Sequence, residues 1–217
     1  GQTRELALAF VFDPTGPRGK IRSVGLATRQ NSIGLAPEET VLDGIREFIS
    51  RGGKVLFYDA KNSLLALKKM GLQIDEVADD VLILAYLLNP TDPSYTLPEL
   101  CLDYLGETFV PREDPLAEAA LRAEAIYRLT GVLRPKIQEA EMENLYLDIE
   151  LPLIPVLAGM EETGVCIDGR KLVEMGKDFE RRIASLAREI YHLAGTVFNI
   201  NSPRQLADVL FGKLGLP

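Results

Sequence analysis

The sequence predicts an α/β domain followed by an all-helical segment. Three observations predict it: short apolar, β-prone runs alternate with helical patterns as far as Leu88; strand signals vanish beyond Asp114; and an apolar residue recurs every seventh position from Leu172 to Leu193. A chain of 217 residues is long enough for one large domain or two small ones. We place the boundary between residues 1–145 and residues 146–217.

Leu6 to Phe12 and Ile21 to Thr28 read as two strands, separated by the turn-forming run Asp13-Pro14-Thr15-Gly16-Pro17. Pro37 precedes Glu38 and Glu39, whose negative charge suits a helix start, and Gly52-Gly53 closes a helix from about Glu38 to Ser50. Lys54 to Tyr58 reads as a buried strand. Asp59 caps a helix that Gly71 stops, and Asp79 or Asp80 caps the apolar helix Val81 to Leu88. Asp114-Pro115 opens a helix extending to about Leu145, with a kink at Pro135, and Pro152 and Pro155 interrupt the pattern again. Gly164 ends the short helix carrying Met160, Glu161 and Glu162. Leu172, Phe179, Leu186 and Leu193, with Ile183 and Ile190, form the coiled-coil-like seam of a long helix. Ser202-Pro203-Arg204-Gln205 is a capping box opening a last helix, Arg204 to Lys213.

Composition narrows the function. Lys and Arg number 24 against 32 Asp and Glu, a net charge of −8, with 47% hydrophobic and 26% charged residues. That balance belongs to a folded acidic protein and argues against wholesale nucleic-acid binding, although a local basic patch survives inside a negative average. No apolar run is long enough to span a bilayer, and no leader-like segment opens the chain, so a cytoplasmic location without membrane contact is expected. One histidine, His192, and two separated cysteines, Cys101 and Cys166, assemble neither a zinc site nor a Ser-His or Cys-His nucleophile. Metal chemistry would have to rest on carboxylates. The apolar end at Gly215-Leu216-Pro217 suggests a fragment of a longer protein.

From Glu150 the residues become recognisable. Glu150-Leu-Pro-Leu, Met160-Glu161-Glu162-Thr163-Gly164-Val165 with Ile167-Asp168, and Phe198-Asn199-Ile200-Asn201-Ser202-Pro203-Arg204-Gln205-Leu206 running on to Leu210-Phe211-Gly212-Lys213-Leu214-Gly215-Leu216-Pro217 resemble bacterial DNA polymerase I, family A, where the exonuclease-type domain joins the thumb. By order of elements, the first 145 residues resemble the 3′ to 5′ exonuclease domain of that family. The resemblance implies a ribonuclease-H-like exonuclease fold followed by the helical thumb base, in a fragment of a DNA-directed DNA polymerase. It also implies that the palm carboxylates and finger residues lie beyond Pro217. Mg²⁺ would then serve the parent polymerase, with no cofactor for this segment. Primer-template DNA would be the partner of the intact enzyme, and the protein a monomer.

Two-metal phosphodiester hydrolysis needs several carboxylates converging on a pair of divalent ions about 3.5–4 Å apart. The family's first motif is Asp-x-Glu; the matching place reads Phe12-Asp13-Pro14-Thr15, which keeps the Asp and puts Thr15 where the Glu would be. Its second is Asn-x-x-x-(Phe or Tyr)-Asp. With Tyr58-Asp59 as the anchor, Lys54 replaces the Asn; anchored on Gly71 instead, Asp59 replaces the Asn and Asn62-Ser63 the aromatic-Asp pair. The third, Tyr-x-x-x-Asp, falls at Glu118 to Arg122, with Arg122 in the carboxylate's place. A cation there is electrostatically opposed to a dication site.

Each acid also has a plain structural role. Asp13 reads as a turn residue, Asp59 and Asp80 as helix caps, and Glu118 and Glu124 as the solvated face of a helix shared with Arg122 and Arg128. The expectation is an inactive exonuclease-like domain with no catalytic residues and no metal site, Asp13 being the one remnant candidate; the alternative is an active metal-dependent 3′ to 5′ proofreading exonuclease. Gly16, Arg18, Gly19 and Lys20 read as a hairpin tip rather than a phosphate cradle. The DNA-facing candidates are Asn199, Asn201, Ser202 and Arg204. The resemblance places them where the thumb grips duplex backbone, and their amides, hydroxyl and guanidinium can donate to phosphate oxygens.

Overall fold

Residue 5 begins the strand on which the domain is built. In the computed structural model, which describes residues 4–13, 19–74 and 76–217, β1 (Glu5–Phe12) is buried along most of its length, as its near-continuous apolar sequence requires. It pairs antiparallel with β2 (Ile21–Ala27), and β2 pairs antiparallel with β3 (Ser32–Leu35). After α1 (Glu39–Ser50), β4 (Lys54–Phe57) returns parallel to β1 on its other side. Helix α2 (Ala60–Lys69) then leads to the two-residue strand β5 (Asp79–Asp80), parallel to β4. The sheet order is β3-β2-β1-β4-β5.

β3 and β5 are absent from the sequence-based reading. β3 has only four residues on a half-solvated edge, too few to show alternation. β5 consists of two aspartates, residues that strand propensity disfavours, and pairing with β4 decides its state.

Beyond β5, α3 (Val81–Leu88) occupies its expected span, and α4 (Leu97–Leu100) continues as a π-helical turn through Leu105. The expected helix from Pro115 is shorter than predicted. Helix α5 (Pro115–Glu139) carries Pro135 in its interior and ends at Ala140, where Glu141 takes φ 57°. A left-handed residue breaks the run that the periodicity carried to Leu145. The chain restarts at α6 (Glu143–Leu145), which passes through a π-helical turn, Tyr146–Glu150, into α7 (Leu151–Thr163). Pro152 sits in the first turn of α7, and Pro155 lies inside it without ending it.

Helix α5 lies across β1, β2 and β3. Its approach is closest at two glycines. A Cβ on Gly25 would stand 1.9 Å from the Ala119 carbonyl oxygen, and one on Gly34 would stand 1.8 Å from that of Leu116. Ser23 Oγ donates to the Pro115 carbonyl at 2.6 Å, fixing the start of the helix over β2. The core beneath gathers Leu8, Val24, Phe57, Leu84, Leu129 and Leu133.

The chain divides into two compact units, Gly1–Gly164 and Val165–Pro217. In the second, α8 (Gly169–Ala194) is capped by Asp168, whose carboxylate accepts from the Arg170 and Lys171 N–H groups. α9 (Pro203–Ala207) runs into a π-helical stretch, Asp208–Lys213, so the last predicted helix is present with irregular geometry. Lys213 Nζ donates to the Gly195 carbonyl at 2.9 Å, joining this end to the end of α8.

Because the α5 backbone occupies the space a side chain would need, Gly25→Val is expected to lower unfolding free energy by about 2 kcal/mol or more, measured by denaturant titration. The same change at Gly44, which has no heavy atom within 4 Å of its Cβ position, serves as the comparison.

Candidate active-site cavity

Where β1 and β4 end, the sheet opens onto a cavity of about 240 Å³ lined by Ala9, Phe10, Phe12, Tyr58, Asp59, Asn62, Ser63, Leu97, Arg122 and Ile126. The three regions that the motif comparison selected therefore converge: Phe12 beside Asp13, the Tyr58–Ser63 corner, and Arg122 on α5. A register shift between Val11 and Phe12 in the β1–β2 pair alters the strand just before this rim.

Asp59 is committed to local structure. It has φ 58° and ψ 64°, a left-handed conformation that costs a non-glycine residue free energy, and it caps α2. Its carboxylate accepts from the Asn62 N–H at 3.3 Å and from Asn62 Nδ2 at 2.6 Å, while its own N–H donates to Asp80 Oδ1 at 3.0 Å. Asp80 is the acid that caps α3, and it also accepts from Ala60 N–H at 2.8 Å and Leu82 N–H at 2.9 Å. One buried carboxylate thus serves the first turns of both α2 and α3. Burial pushes its pKa up to about 6, against the opposing pull of the backbone donors.

Asp79 has a different role. It accepts from Arg134 and, at 3.0 Å, from the Tyr146 hydroxyl, which in turn accepts from the Asp80 N–H at 2.9 Å. Arg134 also donates to Glu5 at 3.1 Å, linking α5 to the start of β1. Burial drives the Asp79 pKa upward, and the Arg134 and Tyr146 hydrogen bonds oppose that shift. Burial also drives Tyr146 upward, reinforced by the Asp79 charge.

The reading of Glu118 as a solvated residue is overturned. Its carboxylate is buried and accepts from the Arg112 N–H at 2.8 Å and from Arg122 Nε at 2.6 Å. A buried carboxylate needs such partners, and the helical charge pattern could not reveal the loop that supplies the second one. Glu124 is exposed and accepts from Ser32 Oγ at 3.2 Å. Tyr58 donates its hydroxyl to the Tyr95 carbonyl at 2.9 Å, and burial pushes its pKa up to about 12.

Asp13 lies at the end of β1, accepting from the Lys20 N–H at 3.1 Å and donating its own N–H to the Lys20 carbonyl at 3.0 Å. Of the hairpin tip and the first motif, Pro14, Thr15, Gly16 and Arg18 fall outside the described residues. By sequence, residues 14–18 include no Asp, Glu, His or Cys. Among the described residues, no three His, Cys, Asp or Glu side chains form a group suited to a metal ion. Asp59 is the carboxylate lining the cavity, and Arg122 lines it too. This donor set does not fit a pair of divalent ions.

Asn199, Asn201, Ser202 and Arg204 lie together in the second unit, in the loop entering α9. Ser202 Oγ accepts from the Gln205 N–H at 3.4 Å, giving one half of the expected capping box. The returning arm differs: Gln205 Oε1 accepts from the Asn199 N–H at 2.8 Å, three residues before the cap. Asn199 Oδ1 also accepts from the Asn201 N–H at 3.0 Å. These bonds fix the loop without engaging the exposed Arg204 guanidinium, which has no ion-pair partner among the described residues.

Comparisons with known proteins meet at this geometry. Residues 20–114 match the family described as DNA polymerase I, ribonuclease H-like domain. DNA polymerase I of Geobacillus stearothermophilus is 34% identical over 216 residues, covering 91% of this chain and 24% of that protein. Residues 20–114 thus carry the ribonuclease H-like domain of DNA polymerase I, and the chain is similar to one part of that protein. DNA polymerase I of Caldicellulosiruptor bescii is 36% identical over 175 residues, covering 80% of the chain and 20% of that protein. The chain thus spans about a quarter or less of the length of these relatives. The fold agrees as well: the polymerase domain of Pol1 from M. smegmatis, solved in complex with DNA primer-template and dNTP, superposes with a TM-score of 0.82 at 23% identity, covering 100% of this chain and 38% of that one. The ribonuclease-H-like fold followed by a helical segment is accordingly what the sequence predicted.

The raised pKa of Asp80 fixes a sign. Its folded value lies above the ordinary carboxylate value of 3.8, so its contribution to stability is greatest below that value and is lost as pH rises to about 6. Asp80→Asn, which removes the titration, is expected to show a flatter dependence of Tm on pH between about 4 and 6 and a lower Tm throughout, because its NH₂ group cannot replace a lost acceptor. Thermal melts across that range measure both effects.

Proposed function

We propose that this chain is a segment of a polymerase I-type DNA-directed DNA polymerase in which the ribonuclease-H-like domain is a non-hydrolytic scaffold. The observation that carries this reading is the lining of the cavity: where hydrolysis needs convergent carboxylates, Arg122 lines the wall and is held by buried Glu118, and Asp59 is spent on capping α2. Polymerisation, with its Mg²⁺, belongs to another part of the longer protein. The family boundary falls between residues 145 and 146. The helix beyond it, α7, packs on α2, so the scaffold holds the first turns of the polymerase portion.

On this reading, residues 146–217 begin the thumb. Asn199, Asn201, Ser202 and Arg204 then approach the phosphates of primer-template duplex, with Arg204 supplying charge and the amides supplying geometry. Such contacts are independent of sequence. The longer protein acts as a monomer in the cytoplasm. Among the described residues, no helix is long and apolar enough to cross a membrane.

Incubation of a 3′-labelled single strand with this chain in Mg²⁺ and in Mn²⁺ is expected to give no shortening above background, the same as Asp13→Ala. Cleavage that disappears with Asp13→Ala would establish the active exonuclease instead. In the longer polymerase, Arg204→Ala is expected to weaken duplex binding several-fold at all sequences and to reduce the slope of log affinity against log salt by about 1. Fluorescence anisotropy over a salt series reads both quantities.

A further inference from the structure

The helix running from Glu143 to Thr163 is fastened to the first unit in two ways that differ in chemistry. At its beginning the hold is buried. Tyr146 bridges Asp79 and the Asp80 backbone, and Leu151 and Ile154 enter the core. Toward its end the anchoring weakens. Ala158 is the last of its residues in the core, and it borders, with Leu64, Ile74, Pro155, Lys68 and Glu162, a cavity of about 110 Å³ that opens to the surface. At the wall of this cavity the Lys68 ammonium donates to Glu162 at 2.5 Å, and the Lys61 ammonium donates to Glu161 at 2.5 Å, both reaching from α2. The Lys68–Glu162 pair is about half exposed on both sides. Gly164 follows, with φ 68° and ψ −171°, a conformation open to glycine alone.

We propose that residues 158–163 are an electrostatic strap: the last turns of α7 open from α2 and close on it, governed by the two lysine–glutamate pairs, while residues 143–154 stay fixed. Each half follows from its contacts. Buried hydrogen bonds and core side chains are insensitive to salt, whereas part-exposed ion pairs contribute little and are screened as ionic strength rises. The cavity leaves a gap between α2 and the last turns of α7 at Ala158 and Gly159. The strap is independent of whether the neighbouring domain hydrolyses DNA, because none of its residues lines the larger cavity.

Amide hydrogen exchange on the whole 217-residue chain, resolved to residues 143–152 and 157–163, tests the proposal at about 0.05 M and about 1 M NaCl. Raising the salt is expected to accelerate exchange at 157–163 roughly three- to tenfold and leave 143–152 unchanged. The double variant Lys61→Gln, Lys68→Gln should reproduce most of this acceleration at low salt and reduce the response to salt at least about twofold. Ala158→Leu, which puts methyl groups into the cavity, should slow exchange at 157–163. Equal acceleration along the whole helix, or a salt response undiminished in the double variant, would overturn the strap.

Discussion

Two adjacent buried carboxylates, on a strand only two residues long, hold the edge of this domain together. Asp80 collects the N–H groups at the starts of α2 and α3, while Asp79 collects Arg134 from α5 and Tyr146 from the helix that follows. A buried charge is tolerated only when its lone pairs are occupied, so these contacts are obligatory. They determine which elements must be neighbours. Four helices and the end of the sheet depend on them, and β5 itself exists because its aspartates are held in line with β4.

The same economy of partners explains the cavity at the end of β1. The carboxylate of Asp59, which lines it, orders the N-terminus of α2 by accepting from the Asn62 N–H and side-chain amide. Arg122 brings positive charge to the cavity wall, and buried Glu118 is shared between its guanidinium and the Arg112 N–H. The fold accommodates a cation in this wall because the ribonuclease-H-like layers rest on apolar packing. The closeness of α5 to Gly25 and Gly34 is one part of that packing and makes no demand on the acidic residues.

In the second unit the balance is reversed. α8 leaves its seam in solvent, with Phe179 54%, Ile183 65% and Leu186 57% exposed. The heptad pattern identified the helix correctly, since periodicity follows from the backbone; it could not say whether the apolar stripe would be covered. Local bonds are legible to a similar depth. Ser202 caps α9 as its sequence indicates, but Gln205 reaches back to Asn199 rather than to the cap, because the loop brings that N–H within reach.

The sequence by itself determined the elements whose signals are local: β1, β2 and β4 as apolar runs, α1, α2, α3 and α8 by periodicity and caps, and the family by the motif strings from Glu150 to Pro217. Tertiary structure alone decided the rest. β3 and β5 form because neighbours offer hydrogen bonds, and the turn at Glu141 ends a helix that periodicity would have continued. Tyr146 gives no sign in sequence that it joins two aspartates more than 60 positions earlier, and Glu118 looks like any helical surface acid. Burial and long-range hydrogen bonding depend on what the fold places alongside a residue, and a single sequence does not contain that information.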